Sequence, residues 1–473
     1  MPLLSQYTQG YLGYLAVLSL ACTIVVIRSR KKDKVIVTKD FRKFQRGYLI
    51  VYFIAMMSDW LQGPYVYALY ASYGFSRGDI AFLFIAGFGS SMVFGTVVGS
   101  FADRYGRRYN CLLFGLLYGC SCITKHFNNY SILLLGRVVG GVATSILFSA
   151  FESWMVAEHK NAAFPEEWIS HTFASMTFGN GVVAILSGII ASAAAGMFGF
   201  VAPFDVALVC LIFGTGVIYT TWKENYGDKN SAPALNLKQG FDVLQNNPKV
   251  ALLGLIQSCF ESCMYIFVFM WTPILEQSTP KGEKLPHGLV FASFMVSMMI
   301  GSNIFKALMK IGPPEDILRY CYLIGACCMA VPVFVKDQTL LMVAFCCFEF
   351  ICGIYFPGMG VMRSQYVPEE VRATVMNLFR IGLNFIVVVV LNSIERMRNE
   401  SVFLLCISLL CCSALCQQYL FQATQGSKAE QAEMMAELQG QDVPEDKLES
   451  GEGAGVASEE GGKTEAPVAG KSD

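Results

Sequence analysis

Residues 99–108 read GSFADRYGRR, and the fold turns on how this stretch is understood. An apolar run over 80–101 ends here, and another begins at 109. Between them stand Asp103, Arg104, Arg107 and Arg108, spaced by Gly99 and Gly106. Two apolar segments joined by so short a charged knot make sense when the knot is in water and the segments lie in hydrocarbon. The composition of the whole chain agrees. Of 473 residues, 54% are hydrophobic and 15% charged, whereas soluble chains carry about 25% charged residues. That apolar surplus does not fit beneath the surface of a water-soluble globule, so the sequence reads as an all-α, polytopic membrane protein.

A helix needs about 20 apolar residues to span hydrocarbon. Such windows lie near 11–27, 47–70, 80–101, 109–124, 130–152, 170–195, 203–222, 250–274, 288–309, 317–335, 339–361, 375–394 and 401–421. Basic residues favour the cytoplasmic side. The stretch RSRKKDKVIVTKDFRKFQR over 28–46 is dense in them, and alternate connections repeat the bias: Arg104, Arg107 and Arg108; Lys223, Lys229, Lys238 and Lys249; then Lys310, Arg363 and Arg372. This places Met1 outside and the C-terminal tail in the cytoplasm. No Lys or Arg precedes the first window and the basic cluster follows it, the reverse of a secretory leader, so a retained extra helix is expected.

The longest polar interruption, 223–249, divides the remaining twelve windows into six and six. The expected organisation is an extra helix with a basic linker (1–46), a first six-helix bundle (47–222), a cytoplasmic loop (223–249), a second six-helix bundle (250–421) and a disordered acidic tail (422–473). Unusual residues recur in matching windows of the two bundles. Asp59 corresponds to Glu261, Arg137 in GRVVGGV to Glu349 in FEFICGI, and Asn180 in TFGNG lies beside the position of Arg380 in LFRIG. Internal repetition of this kind marks many secondary transporters.

A charge at mid-bilayer costs roughly 2.5–3.5 kcal/mol on insertion scales, so Asp59, Arg137, Glu261, Glu349 and Arg380 are expected to face one another or a wet cavity. Helical spacing gathers polar groups into stripes: Gln257, Glu261 and Tyr265; Asn377, Arg380 and Asn384; Thr177, Asn180 and Ser187. Pro64, Pro273 and Pro357 are positioned to bend their helices. The seventeen cysteines lie mostly inside apolar runs, without metal-ligand spacing, and read as small hydrophobes. No nucleophile–base set, HExxH motif or phosphate-cradling loop is present, so an enzyme, a cofactor and a metal site are not expected. Nucleic-acid binding finds no support beyond the 28–46 cluster, which the membrane rule explains.

The opening stretch resembles the loop signature of the major facilitator superfamily, G-x-L-a-D-r-x-G-r-r. Gly99, Asp103, Arg104, Gly106, Arg107 and Arg108 match, and Phe101 replaces the usual leucine. Arg137 with Gly140 and Gly141 resembles the fourth-helix motif of that superfamily, with its glutamine missing. The stretches SDWLQGPYVYALY, GRVVGGVATSILFSAFESWMVAEH, FPEEWI, WKENYGD and IFVFMWTPIL are similar to the eukaryotic molybdate-anion transporter branch over about residues 40–420.

The resemblance implies two six-helix bundles and high-affinity molybdate uptake by a monomer in the lipid bilayer, in the plasma membrane. It further implies a gating loop that braces the halves when the protein is open to the outside. A tetrahedral dianion favours guanidinium forks and amide donors, which Arg137, Arg380, Asn180, Asn377 and Asn384 would supply, with Glu349 beside them. Asp59 or Glu261 would carry a coupling proton. Two other readings stay open: a carrier of sugars or organic ions, and a non-transporting sensor or scaffold that uses the acidic tail.

Overall fold

The computed structural model describes residues 5–29, 37–95, 97–227, 237–368 and 372–438. One compact unit comprises Met1–Leu420 and a second Phe421–Asp473; the first holds the site. Of the tail expected to be disordered, 439–473 lies outside the described residues.

The described residues are helical, without a strand. The order is α1 (Gln6–Ser29), α2 (Lys39–Trp60), a 3-10 turn (Gly63–Tyr65), α3 (Val66–Ser72), α4 (Arg77–Gly95), α5 (Val98–Tyr105), α6 (Arg107–Thr124), α7 (Tyr130–Leu147), α8 (Ala150–Asn161), α9 (Glu167–Phe198) and α10 (Ala202–Thr221). There follow α11 (Leu237–Asn246), α12 (Pro248–Gln277), α13 (His287–Leu308), α14 (Pro314–Phe334), α15 (Gln338–Tyr366), α16 (Arg372–Ser393) and α17 (Asn399–Leu438). Side-chain caps set several starts: Thr38 accepts from the Phe41 amide, Asn129 from Ile132, Asn247 from Lys249 and Val250, and Asp337 from Leu340.

Ten helices among the described residues are long and apolar enough to cross a membrane, and Leu378–Ser393 adds a shorter apolar one. The expected windows at 47–70 and 109–124 fall below that measure. The first includes Asp59 and is interrupted by the turn at Pro64, and the second opens on Arg107 and Arg108. The turn at Pro64 interrupts its helix outright, where a bend was expected, and α12 and α15 are continuous helices through Pro273 and Pro357.

In the front half, α4 and α6 pack on α7, and α2 packs on α9 and α10; in the rear half, α15 packs on α13 and α14, and α12 on α16. The halves meet where α9 touches α13 and α4 touches α16. Helix α1 comes first in sequence yet packs on α13 of the rear half. It buries Tyr11, Leu15 and Cys22, and the Ser5 hydroxyl donates to Glu283 at 2.8 Å.

The described contacts of the charged knot lie within its own half. Gly106 joins α5 to α6 at φ +111°, a conformation that suits glycine. A Cβ there would fall 2.6 Å from the carboxyl carbon of Glu224. That carboxylate accepts the backbone N–H groups of Arg108 (2.8 Å) and Tyr109 (3.0 Å), capping α6 with negative charge. The Arg108 guanidinium donates to the Tyr219 carbonyl at 2.7 Å. Arg104 is exposed, and the Arg107 amide donates to the Asn225 carbonyl. The Asp103 side chain lies outside the described residues.

Candidate functional site

A cavity of about 2450 Å³ lies between the halves. Its walls come from α2, α4, α6, α7 and α9 in front and from α12, α13 and α15 behind. Arg28, Arg42, His171, Lys306 and Lys310 line one end, on the face that carries the charged knot, and the four Arg and Lys residues are exposed there. The opposite end, near Gln62, Gly63, Trp271 and Phe291, is shut by contacts between the halves. Tyr65 packs on His287, and Tyr67 and Phe84 pack on Phe269, with ring centroids 5.2–5.4 Å apart. The Gly288 amide donates to the Tyr65 hydroxyl. At this end α9 and α13 approach backbone to backbone: a Cβ on Gly188 would lie 2.7 Å from the Gly288 carbonyl oxygen.

Arg137 is the cation of the inner wall. Its Nε donates to the Leu83 carbonyl at 3.1 Å, and its guanidinium lies 5.1 Å from the centroid of Phe84. A Cβ on Gly87 would fall 2.5 Å from Nη2, so the missing side chain of that glycine makes the slot for the guanidinium. Arg137 forms no ion pair among the described residues, which leaves its outer nitrogens to the cavity.

Asp59 lines the same space and accepts from the Tyr118 hydroxyl at 2.5 Å, within electrostatic reach of Arg137. Asn180 also lines it, and its amide oxygen accepts from Trp60 Nε1 at 2.8 Å, leaving the NH₂ end for a ligand. From the rear half comes Glu349, 4% exposed, with Oε2 lacking a hydrogen-bond partner among the described residues. Four expected site residues thus share one cavity: Asp59, Arg137, Asn180 and Glu349.

Among the described residues, Glu261, Arg380 and Asn384 do not line it. Glu261 accepts from Arg363 at 3.1 Å and from the Tyr355 hydroxyl at 3.0 Å, and Arg363 also holds Gln257 at 3.1 Å. This corrects the reading of Arg363 as a loop cation. Helix α15 runs to Tyr366, beyond its apolar window, and brings the guanidinium back to Glu261. Arg380 crosses from α16 to α4, where its Nη1 would stand 3.3 Å from a Cβ on Gly95. Asn384 turns its amide onto its own helix, donating to the Arg380 carbonyl at 2.7 Å. The side chain of Asn377 lies outside the described residues.

Sequence reasoning missed Trp60, Tyr118 and the methionine wall of Met264, Met295, Met298 and Met299. An apolar or aromatic residue in an apolar run carries no signal of which face it takes.

Comparison with known proteins fits this architecture. A family model described as sugar transporters with 12 transmembrane segments matches residues 10–346. A molybdate-anion transporter of Xenopus tropicalis is 36% identical over 381 residues, covering 77% of this chain and 83% of that one. One from Danio rerio is 34% identical over 422 residues, covering 80% and 86%. Among solved structures, the nucleoside transporter NupG shares 11% identity at a TM-score of 0.64, covering 80% of this chain and 99% of that one. The peptide transporter POT in complex with sulfate shares 14% at 0.65, covering 81% and 94%. At such identities these two show the fold alone. Helical halves around a central cavity, with these relatives, define a multi-pass membrane transporter of the major facilitator superfamily. Within that superfamily the chain belongs to the family that contains the molybdate-anion transporters.

Proposed function

We propose that the chain carries molybdate, or a like tetrahedral oxyanion, into the cell by alternating access, with Arg137 as the anchor of the anion. The observation that carries this reading is a guanidinium on the inner wall with no ion pair among the described residues, in a cavity that the Asn180 amide also lines. A guanidinium fork matches two oxyanion oxygens at once, and the enclosing apolar wall strengthens that attraction. The names of the relatives supply the choice of anion.

Asp59 and Glu349 share the cavity with this cation. As carboxylates they repel a dianion; carrying protons they do not. Anion and proton therefore enter together, with Asp59 as the proton carrier, and high-affinity uptake is favoured by external acid. Glu261, committed to Arg363, is left a structural part. With the knot face cytoplasmic and Met1 outside, in the plasma membrane, the conformation described is open inward. The protein works as a monomer, since each copy encloses its own cavity.

Labelled molybdate uptake by cells with and without the chain tests this. Arg137→Ala at normal surface level should lose at least tenfold in uptake, and Arg137→Lys should recover only part, lacking the fork. Normal uptake by Arg137→Ala would remove the assignment, and uptake indifferent to external pH would remove the proton.

A further inference from the structure

An oxyanion uses little of this cavity. Pockets for organic ligands measure about 300–1,000 Å³, and a tetrahedral ion takes the space of a few waters of about 30 Å³ each. The volume here is about 2450 Å³. Its inner wall carries Trp60, Phe88, Tyr265 and Phe291 together with Met264, Met295, Met298 and Met299. A hydrated dianion gains nothing from such a wall, whereas an apolar body gains both its burial and the adaptability of methionine.

Glu349 sharpens the point. It is held in the rear half, 4% exposed, with Oε2 unpartnered and no ion pair among the described residues. As a carboxylate, Glu349 finds no hydrogen on a molybdate dianion and tolerates it only by taking up a proton itself. A simple organic acid pairs with Arg137 and leaves the Glu349 carboxylate without a cation, and a sugar, whose hydroxyls can bond to both, neutralises neither charge. A charge held in a poorly solvated place without a counter-charge is costly, so the ligand that suits both walls carries an acid group and a charged donor.

We propose that the cavity also binds and carries an organic zwitterion of amino-acid type with an apolar body. Its carboxylate sits on Arg137 of the front half and its ammonium group on Glu349 of the rear half. Its body lies along the methionine and aromatic wall between them. The inference rests on the reading of Arg137 as the anion anchor, and it adds a second substrate class to the same site. Because one end is held by each half, such a ligand also draws the two walls together.

The test uses the full chain and four probes against labelled molybdate uptake: L-tryptophan, indole-3-propionate (the same skeleton without the amine), tryptamine (without the acid) and D-glucose. L-Tryptophan should inhibit at least tenfold more potently than either deletion compound, with glucose inert. Labelled L-tryptophan should accumulate only in cells that carry the chain. In Glu349→Gln, thermal stabilisation of the purified protein by L-tryptophan should fall to the level given by indole-3-propionate, while stabilisation by indole-3-propionate itself persists.

Intact molybdate uptake with no inhibition by L-tryptophan, equal inhibition by L-tryptophan and indole-3-propionate, or inhibition by glucose, would overturn the zwitterion site and leave the oxyanion reading standing. Carriage of labelled L-tryptophan without molybdate uptake would overturn the oxyanion reading instead.

Discussion

Arg137 owes its position to a residue with no side chain. Because a Cβ on Gly87 would stand 2.5 Å from Nη2, Gly87→Ala should push the guanidinium out of its slot without removing it. The expected result is a KM for molybdate raised about tenfold with little loss of surface protein, measured by concentration-dependent uptake. Gly141 lies one helical turn further on, and a Cβ there would meet Ser90 Oγ at 2.0 Å and the Gly87 carbonyl at 2.4 Å. Gly141→Ala should therefore force α4 and α7 apart at a cost of about 1–3 kcal/mol, seen as a lower unfolding temperature of the purified protein. At this scale the sequence announces which residues matter but not whom they meet. Arg137, Asp59 and Glu349 stand out because ionic groups are scarce in apolar runs, and all three reach the cavity. Arg380 and Asn384 stand out equally and do not. A helical stripe defines a direction around its own axis, and the rotation of that axis against its neighbours is set by packing far away in sequence.

Among the elements, α15 shows what an apolar window conceals. Its helix continues to Tyr366, past the expected end at 361, and so converts an apparent loop arginine into the partner of Glu261. The two side chains are 26% and 13% exposed, and removing one strands the other in a poorly solvated place. Glu261→Ala or Arg363→Ala should each destabilise by about 3–5 kcal/mol, while a double replacement by apolar residues of similar volume should cost far less. Thermal unfolding of the three variants in detergent checks this, and additive losses would count against a direct pair. Existence and order of the helices were legible in the sequence, because hydrocarbon thickness sets the length of an apolar run. Their ends were not. A polar turn at the membrane surface is satisfied by water in or out of a helix, so hydropathy is silent there. The interruption at Pro64 was readable from proline, but the continuity of α12 and α15 through theirs was not, since neighbouring helices decide whether the freed carbonyl is tolerated.

For the whole molecule, the shut end of the cavity is where a change of access has to begin. A Cβ on Gly288 would meet the Gly188 carbonyl oxygen at 2.2 Å and the Ser192 amide nitrogen at 2.6 Å, so Gly288→Leu cannot close this end as described. A cysteine placed at Phe291, in a background lacking the exposed Cys120, Cys327 and Cys347, should then react several-fold faster with a membrane-impermeant thiol reagent added outside. An unchanged rate would show that the end opens and shuts elsewhere. The family and the two-half plan were readable from the loop signature, but the side to which the cavity opens was not, because one sequence serves both states. The Glu224 carboxylate suggests how that neutrality is kept. By occupying the amides of Arg108 and Tyr109 from within its own half, it satisfies these two donors with no help from across the divide. Parting the halves on that side therefore strands neither of these two backbone donors. The glycine seam on the other side, by contrast, joins the two halves directly.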